Sequence, residues 1–371
     1  MVLLGLSQAG CRAEPWTLWS SYASHFVDGG RVLDRQEGNR STSEAQAYSM
    51  FFAVVANDRP RFEKLLTWTQ DNMAKGDLTA HLPAWNWGRA DDGQWRSLDP
   101  NSASDADVWM SYTLLQAGRL WKEPRYTNIG LIMVTRIAAT EVVDLPKYGP
   151  VLIPGPQGFH PAPDTWVLNP SYPPLPVIEG LAKASPSGPW KKMAAQLPKV
   201  LAASAPAGFP TDWTIYTPQK GIAPVAGPVE KPGEKSDPVG SYDAIRAYLW
   251  AGMTNREASG AHASLAALHG MADYLDHQPT PPEKISATGQ VLSDSSSVGF
   301  SAALMPYLSA MGREESFNTQ RQRLEAQRDP ATGLFGKDPK YFDQNLALFG
   351  LGWTEKRFRF ERDGSLKVSW Q

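Results

Sequence analysis

The chain has 371 residues, 36 of them basic and 38 acidic, for a net charge of −2. That balance, with no block of five like charges, argues against nucleic acid or an anionic membrane surface as partner. The length admits one large domain or two smaller ones with a substantial core, and Cys11, the only cysteine, excludes an intrachain disulfide.

Residues Met1 to Ala9 are small and apolar, lack a basic leader, and are too few to span a bilayer. They read as the remnant of a secretory signal. Ser7-Gln8-Ala9-Gly10-Cys11 resembles a lipoprotein cleavage site, but Ser stands where Leu is usual, so a signal remnant is preferred to a lipid anchor. Residues 1–13 are expected to form a tail and 14–371 one folded domain. No later stretch reads as transmembrane, and a soluble protein, periplasmic or secreted, is expected.

The first helix is expected over Trp16 to Asp28. Ser43 to Ala56 follows, opening with Ser43 and Gln46 at capping-box spacing. Arg59-Pro60 punctuates, and Arg61 to Ala74 places Phe62, Leu65, Leu66 and Met73 on one face. Ser104 to Trp121 is apolar over most of its circumference, and Pro124 to Val143 carries Ile129, Ile132, Met133 and Ile137. Leu145 to Thr165 is a long loop rich in Pro and Gly. Asn169 to Ala184, interrupted by Pro173, Pro174 and Pro176, pairs with Trp190 to Ala203. A second long loop, Ala205 to Pro238, precedes Ser241 to Met253 and Gly260 to His277. Val298 to Met311 and Glu315 to Arg328 form the next pair, and Tyr341 to Gly350 the last helix. Arg357 to Trp370 alternates around Asp363-Gly364 and predicts a β-hairpin.

These segments total twelve helices, often with the first of a pair more apolar than the second. Helices apolar on most sides belong inside, and one-sided helices on a rim. Alternating inner and outer helices close into an all-α (α/α)6 barrel, one domain with a central cleft. The long loops are expected to serve function.

Three segments place acids at the starts of the more apolar helices: Thr42-Ser43-Glu44, Ser104-Asp105-Ala106-Asp107 and Ser241-Tyr242-Asp243. Each offers a Ser as cap and an acid in the first turn. A single such acid is most simply a helix stabiliser, by ~0.3–1 kcal/mol. Three on parallel inner helices converge at one end of a barrel, where they shift one another's pKa. Paired carboxylates suit glycosidic cleavage, one protonated to release the departing oxygen and one ionised to activate water. Glu44 is the candidate acid, provided that desolvation or the charge of Asp105 outweighs the helix dipole; Tyr48, one turn on, favours desolvation. The 14 Trp outnumber the 13 Phe and 12 Tyr, which suits a cleft for sugars, with a Trp-rich core as the competing explanation.

Ala103-Ser104-Asp105-Ala106-Asp107, with Met110, Leu114, Leu115, Ala117 and Trp121, resembles the signature of glycoside hydrolase family 8. Ser111 and Thr113 depart from it, standing where Ala and a Ser or Ala are usual. Ser43-Glu44 with Tyr48 is similar to the family's proton-donor segment. Ser241-Tyr242-Asp243-Ala244-Ile245-Arg246 is similar to its base segment, and Asn169-Pro170-Ser171-Tyr172 is also family-like. Leu82-Pro83-Ala84-Trp85, Asn101 to Asp105 and Gly299-Phe300-Ser301-Ala302-Ala303 resemble the subgroup of periplasmic endoglucanases found with bacterial cellulose synthesis. The similarity runs from about Trp16 to Trp370. It implies an (α/α)6 barrel and inverting, endo-acting hydrolysis of β-1,4-glucan without metal or cofactor. In these terms Glu44 is the acid and Asp243 the base, while Asp105 grips the strained sugar and helps to position water.

Arg246, three residues after Asp243, is a candidate to hold that base ionised or bind a sugar hydroxyl, with an ordinary buried ion pair as the alternative. Tyr242 is a candidate to orient water or stack on sugar, with a core tyrosine opposing. Trp85, Trp87 and Trp95 suit glucosyl stacking, Trp85 being the one chosen, and Tyr172 and Trp166 lie near a long loop. Asp107 is expected to brace its helix. The six His have no metal-ligand spacing, and no nucleophile elbow or phosphate loop is present. The expected partner is a glucan chain and possible contact is with a cellulose synthase complex, the protein itself being a monomer. The rival readings are mixed-linkage glucan, xylan or chitosan as substrate, or a glycan-binding partner with little turnover.

Overall fold

The computed structural model describes residues 15–228 and 237–371. The expectations for Met1 to Ala9 and for Cys11 fall outside the described residues. Among those described, thirteen helices dominate, in chain order: α1 (Thr17–Phe26), α2 (Ser43–Val55), α3 (Arg59–Met73), α4 (Ser104–Trp121), α5 (Pro124–Thr140), α6 (Leu175–Ala184), α7 (Trp190–Ser204), α8 (Ile245–Met253), α9 (Ala261–Ala267), α10 (His269–Leu275), α11 (Val298–Ala310), α12 (Glu314–Glu325) and α13 (Tyr341–Thr354).

Six of them touch in a closed cycle: α2 on α4, α4 on α6, α6 on α8, α8 on α11, α11 on α13, and α13 back on α2. Their sequences dictate that place. In α4 every residue from Ser104 to Gly118 is buried, and in α2 only Glu44 is not. The partners α3, α5, α7 and α12 pack on α2, α4, α6 and α11. They bury one stripe each, Phe62, Leu65, Leu66 and Met73 in α3 for example. Asp58 caps α3 by accepting from the Arg61 N–H at 3.2 Å, and Pro60 sits in its first turn.

The departures from expectation have local causes. The segment after Asn169 becomes helical only at Leu175, because Pro173 and Pro174 hold the chain extended before it. The Gly260 to His277 segment is two short helices broken at Leu268. The Ser43–Gln46 capping box does not form: Thr42 is the cap, accepting from Ala45 N–H at 3.2 Å. Gln46 instead accepts the Val32 N–H at 2.7 Å and donates to Thr69 Oγ1 at 2.8 Å. The fold is not purely α. Two three-stranded sheets join residues 41–42, 86–89 and 95–99, and 239–240, 284–286 and 291–293. In the supposed long loops, 142–145 pairs with 149–152, and 166–168, 213–217 and 221–225 form a third sheet. A satellite core of Leu145, Val151, Ile153, Leu168, Val200, Tyr216 and Ile222 supports them. The expected hairpin is present, Phe358–Phe360 against Leu366–Val368. Its Gly364 has φ +73° and packs on Gly180 so closely that a Cβ would lie 2.2 Å from the Gly180 nitrogen. No helix among the described residues is long and apolar enough to cross a membrane.

Candidate active site

Glu44 and Asp105 are the second residues of α2 and α4, and Asp243 lies in the turn that enters α8. One guanidinium gathers them. Arg246, second in α8 and 2% exposed, bonds Glu44 Oε2 and Asp105 Oδ2 through Nη1, the latter at 2.9 Å, and Asp243 Oδ1 through Nη2 at 2.6 Å. The Tyr48 hydroxyl accepts from Nη1 at 3.3 Å, and the Tyr172 ring lies 5.6 Å from the guanidinium carbon.

Helical spacing builds the floor below. Four residues beyond Glu44, Asp105 and Arg246 stand Tyr48, Trp109 and Trp250, one turn deeper on the same faces. With Phe349 they meet edge-to-face or tilted: Tyr48 to Trp109 at 5.8 Å, Tyr48 to Phe349 at 5.1 Å and Trp109 to Trp250 at 5.2 Å between ring centroids. The charged layer therefore rests on rings that exclude water from one side.

One cation cannot neutralise three carboxylates, and the outcome is an uneven proton affinity. Burial first, then the charges of Asp105 and Asp243, push Glu44 up to about 7 against the pull of Arg246. Burial also raises Asp105, again opposed by Arg246. Burial works against the charge of Arg246, but the surrounding acids and Tyr48 more than offset it and hold the guanidinium firmly protonated. The site thus holds one carboxyl, Glu44, balanced near neutral pH on the same guanidinium as two further acids.

The sequence-predicted residues divide. Glu44, Asp105, Asp243, Arg246, Tyr48 and Tyr172 come together. Tyr48 is 1% exposed and lies beneath Arg246, in the floor of the charged layer. Arg246 is likewise buried and bonded to all three acids. Tyr242 stands apart: its hydroxyl donates to Glu283 at 2.9 Å, and its ring lies against Phe300 and Phe342. Trp85 is half-buried, donates to Asp99 at 2.8 Å, and accepts the Ser43 N–H at 3.0 Å through its carbonyl, tying its loop to the start of α2. Trp87 and Trp95 stack at 5.3 Å with Arg31 over both, and Trp95 is exposed. Trp166 stacks on His160 at 3.7 Å.

Asp107 points away from Arg246, and its fully buried carboxyl lies against Glu141 and Ser102. Glu141, at the C-cap of α5, accepts from Ser102 Oγ at 2.5 Å and is pushed up to about 7, chiefly by burial. Three residues escaped the sequence reading. Glu141 follows the last turn of a helix, and nothing in the local pattern marks it as buried. Tyr341, first in α13, lies against Thr42 beside Glu44; the convergence of inner-helix starts could have revealed it. Asp212 accepts the N–H groups of Ser241 and Ala244, both at 2.8 Å, on one oxygen, and nothing in the local pattern marks it.

A sequence profile described as Glycosyl hydrolases family 8 matches residues 1–356. An endoglucanase of Xanthomonas axonopodis pv. citri (strain 306) is 45% identical over 365 residues, 98% of this chain and 91% of that protein. An endoglucanase of Escherichia coli (strain K12) is 39% identical over 365 residues, 98% and 93% of the two chains. The crystal structure of an endo-1,4-D-glucanase from Vibrio fischeri ES114 is similar at a TM-score of 0.87 and 34% identity, covering 96% of this chain and 99% of that one.

Proposed function

The chain belongs to glycosyl hydrolase family 8, and from that premise we propose that it cleaves internal β-1,4 bonds of a cellulose-like glucan with inversion. Glu44 is the general acid, Asp243 the general base, and Asp105 grips the sugar at the cleavage point. The observation that carries this reading is the grouping of three carboxylates on Arg246, with Glu44 the one raised to about 7. The Glu44 proton goes to the departing glycosidic oxygen as the bond to the anomeric carbon breaks. A water on the opposite face adds to that carbon and gives its proton to Asp243. An inverting pair needs roughly 6.5–9.5 Å between carboxyls to admit the water, and the two acids here hold different nitrogens of one guanidinium.

The cycle of six helices is read as the inner ring of an (α/α)6 barrel, with 14–371 as one catalytic domain behind a tail of residues 1–13. Relatives named endoglucanase support the glucan substrate. Action in the periplasm or outside the cell, as a monomer and in connection with cellulose synthesis, completes the proposal. Proton NMR of the first product formed from a soluble cello-oligosaccharide tests the mechanism. The α-anomer is expected, and initial appearance of the β-anomer overturns single displacement. Rapid collapse of carboxymethylcellulose viscosity is the expected mark of internal cutting.

A further inference from the structure

Asp243 does not sit on a helix. The sequence suggests an acid in the first turn, but α8 begins at Ile245, and residues 241–244 form a preceding turn. Such a turn has its own N–H groups to satisfy, and a single i→i−4 bond, from Ile245 N–H to the Ser241 carbonyl at 3.0 Å, spans it. The start of α2, which carries Glu44, is capped locally by Thr42. The start of α8 has no local side-chain cap. Its cap is imported from another segment: Asp212 Oδ1 accepts from Ser241 N–H and Ala244 N–H, each at 2.8 Å.

The two segments are locked in other ways. Asp212 N–H donates to the Val239 carbonyl at 2.8 Å. Gly240 lies so near Pro210 that a Cβ would come within 2.2 Å of the Pro210 carbonyl oxygen and 3.1 Å of the Ala244 Cβ. Only glycine allows that approach. Asp212 is pushed up to about 6 by burial and then by the charge of Asp243, against its two N–H donors and Arg246. A second acid near Asp243 costs stability through repulsion, and a neutral Asn or Ser caps turns as well.

We propose that Asp212 is a positioning residue for the reaction: by holding both N–H groups of the 241–244 turn on one oxygen, it fixes the direction in which Asp243 presents its carboxylate to the attacking water. This rests on Asp243 being the base. A general base works only within hydrogen-bond reach of its proton, and misplacement by 1 Å costs on the order of 10²-fold. Arg246 fixes one Asp243 oxygen; Asp212 fixes the backbone from which the side chain springs.

The experiment is a double-mutant cycle in the full chain, read as kcat and KM on a soluble cello-oligosaccharide. Asp212→Ala is expected to lower kcat about 10²-fold with KM within about threefold. Asp212→Asn, which keeps an oxygen acceptor and folds without the like-charge repulsion, is expected to recover to within about fivefold of the native rate. In an Asp243→Ala background, Asp212→Ala is expected to cost less than about twofold more, because a residue acting through Asp243 has nothing left to position. Multiplicative losses in the double variant, or an Asn variant as poor as the Ala variant, overturn the proposal. Near-native turnover of Asp243→Ala alone overturns the assignment of the base instead.

Discussion

Asp105 and Asp107 stand two residues apart in the first turn of α4, both buried and both on the same helix dipole, yet they meet opposite surroundings. Asp105 faces Arg246 and two further acids at the cleft. Asp107 faces Glu141 and Ser102, with no cation among the groups that act on it. Burial raises the proton affinity of both. The difference lies in what opposes it. Where a guanidinium competes with burial, the acids share too little positive charge, and Glu44 is left balanced near neutral pH; on the proposed mechanism its proton is the one a substrate takes. Where no cation competes, two acids share a proton that goes nowhere. A carboxyl is useful for chemistry when its ionisation is nearly balanced and its surface is reachable; Glu141, also raised to about 7, meets the first condition, but the Asp107–Glu141 pair is wholly buried and fails the second.

The largest expected effect breaks the comparison most directly. Glu44→Gln keeps shape and hydrogen bonding but has no proton to give. It is expected to lower kcat on a cello-oligosaccharide by roughly 10²–10⁴-fold while glucan binding survives. Asp107→Asn is expected to stay within about threefold of native, because its amide can occupy the same place without changing the charge at the cleft. An Asp107→Asn variant as inactive as Glu44→Gln would erase the distinction between the two groups.

Arg246 sharpens it next. The acid must be protonated to act, so kcat/KM of the free enzyme is expected to be retained below, and to fall as pH rises through, about 7. Arg246 pulls Glu44 down; Arg246→Met should therefore move this alkaline limb to higher pH. It should also destabilise the fold by roughly 3–5 kcal/mol in urea unfolding, since buried carboxylates lose their counter-charge. A limb that stays in place would remove Glu44 as the titrating group.

Much of this was legible before any coordinates. The helix pairs followed from apolar stripes such as Phe62, Leu65, Leu66 and Met73, and Glu44, Asp105, Asp243 and Arg246 are brought together as their places in the pattern suggest. The aromatic floor accounts for part of the Trp excess, with Trp109 and Trp250 wholly or nearly buried. What sequence could not carry was long-range. The Ser43–Gln46 spacing fits a capping box, but Gln46 meets a competing set of buried partners from residues 30 to 32 and 65 to 69, and tertiary hydrogen bonds won. Tyr242 adjoins Asp243 in sequence, yet its hydroxyl turns away to Glu283. Asp212 lies 31 residues before Asp243, in a bend just ahead of the strand Trp213–Thr217 that only the folded loop brings back.

The smallest expected effect concerns stability and probes the silent half of the comparison. Glu141 rises from an ordinary 4.5 to about 7 in the folded protein, mainly through burial. A group whose folded value lies above its unfolded one contributes stability that is whole below about 4.5 and is lost as pH climbs through about 7. At 1.36 kcal/mol per unit, this site makes the native protein up to about 3 kcal/mol less stable at pH 8 than at pH 5, relative to a chain without it. Glu141→Gln keeps an oxygen to accept from Ser102 and an amide to donate to Asp107, so it is expected to flatten that decline in urea unfolding at the two pH values. Activity at the optimum should change little, because no charge at the cleft is altered there. If the decline kept its full slope, the shared proton would belong to Asp107 alone, and Glu141 would be the ionised member of the pair, held by Ser102 Oγ at 2.5 Å.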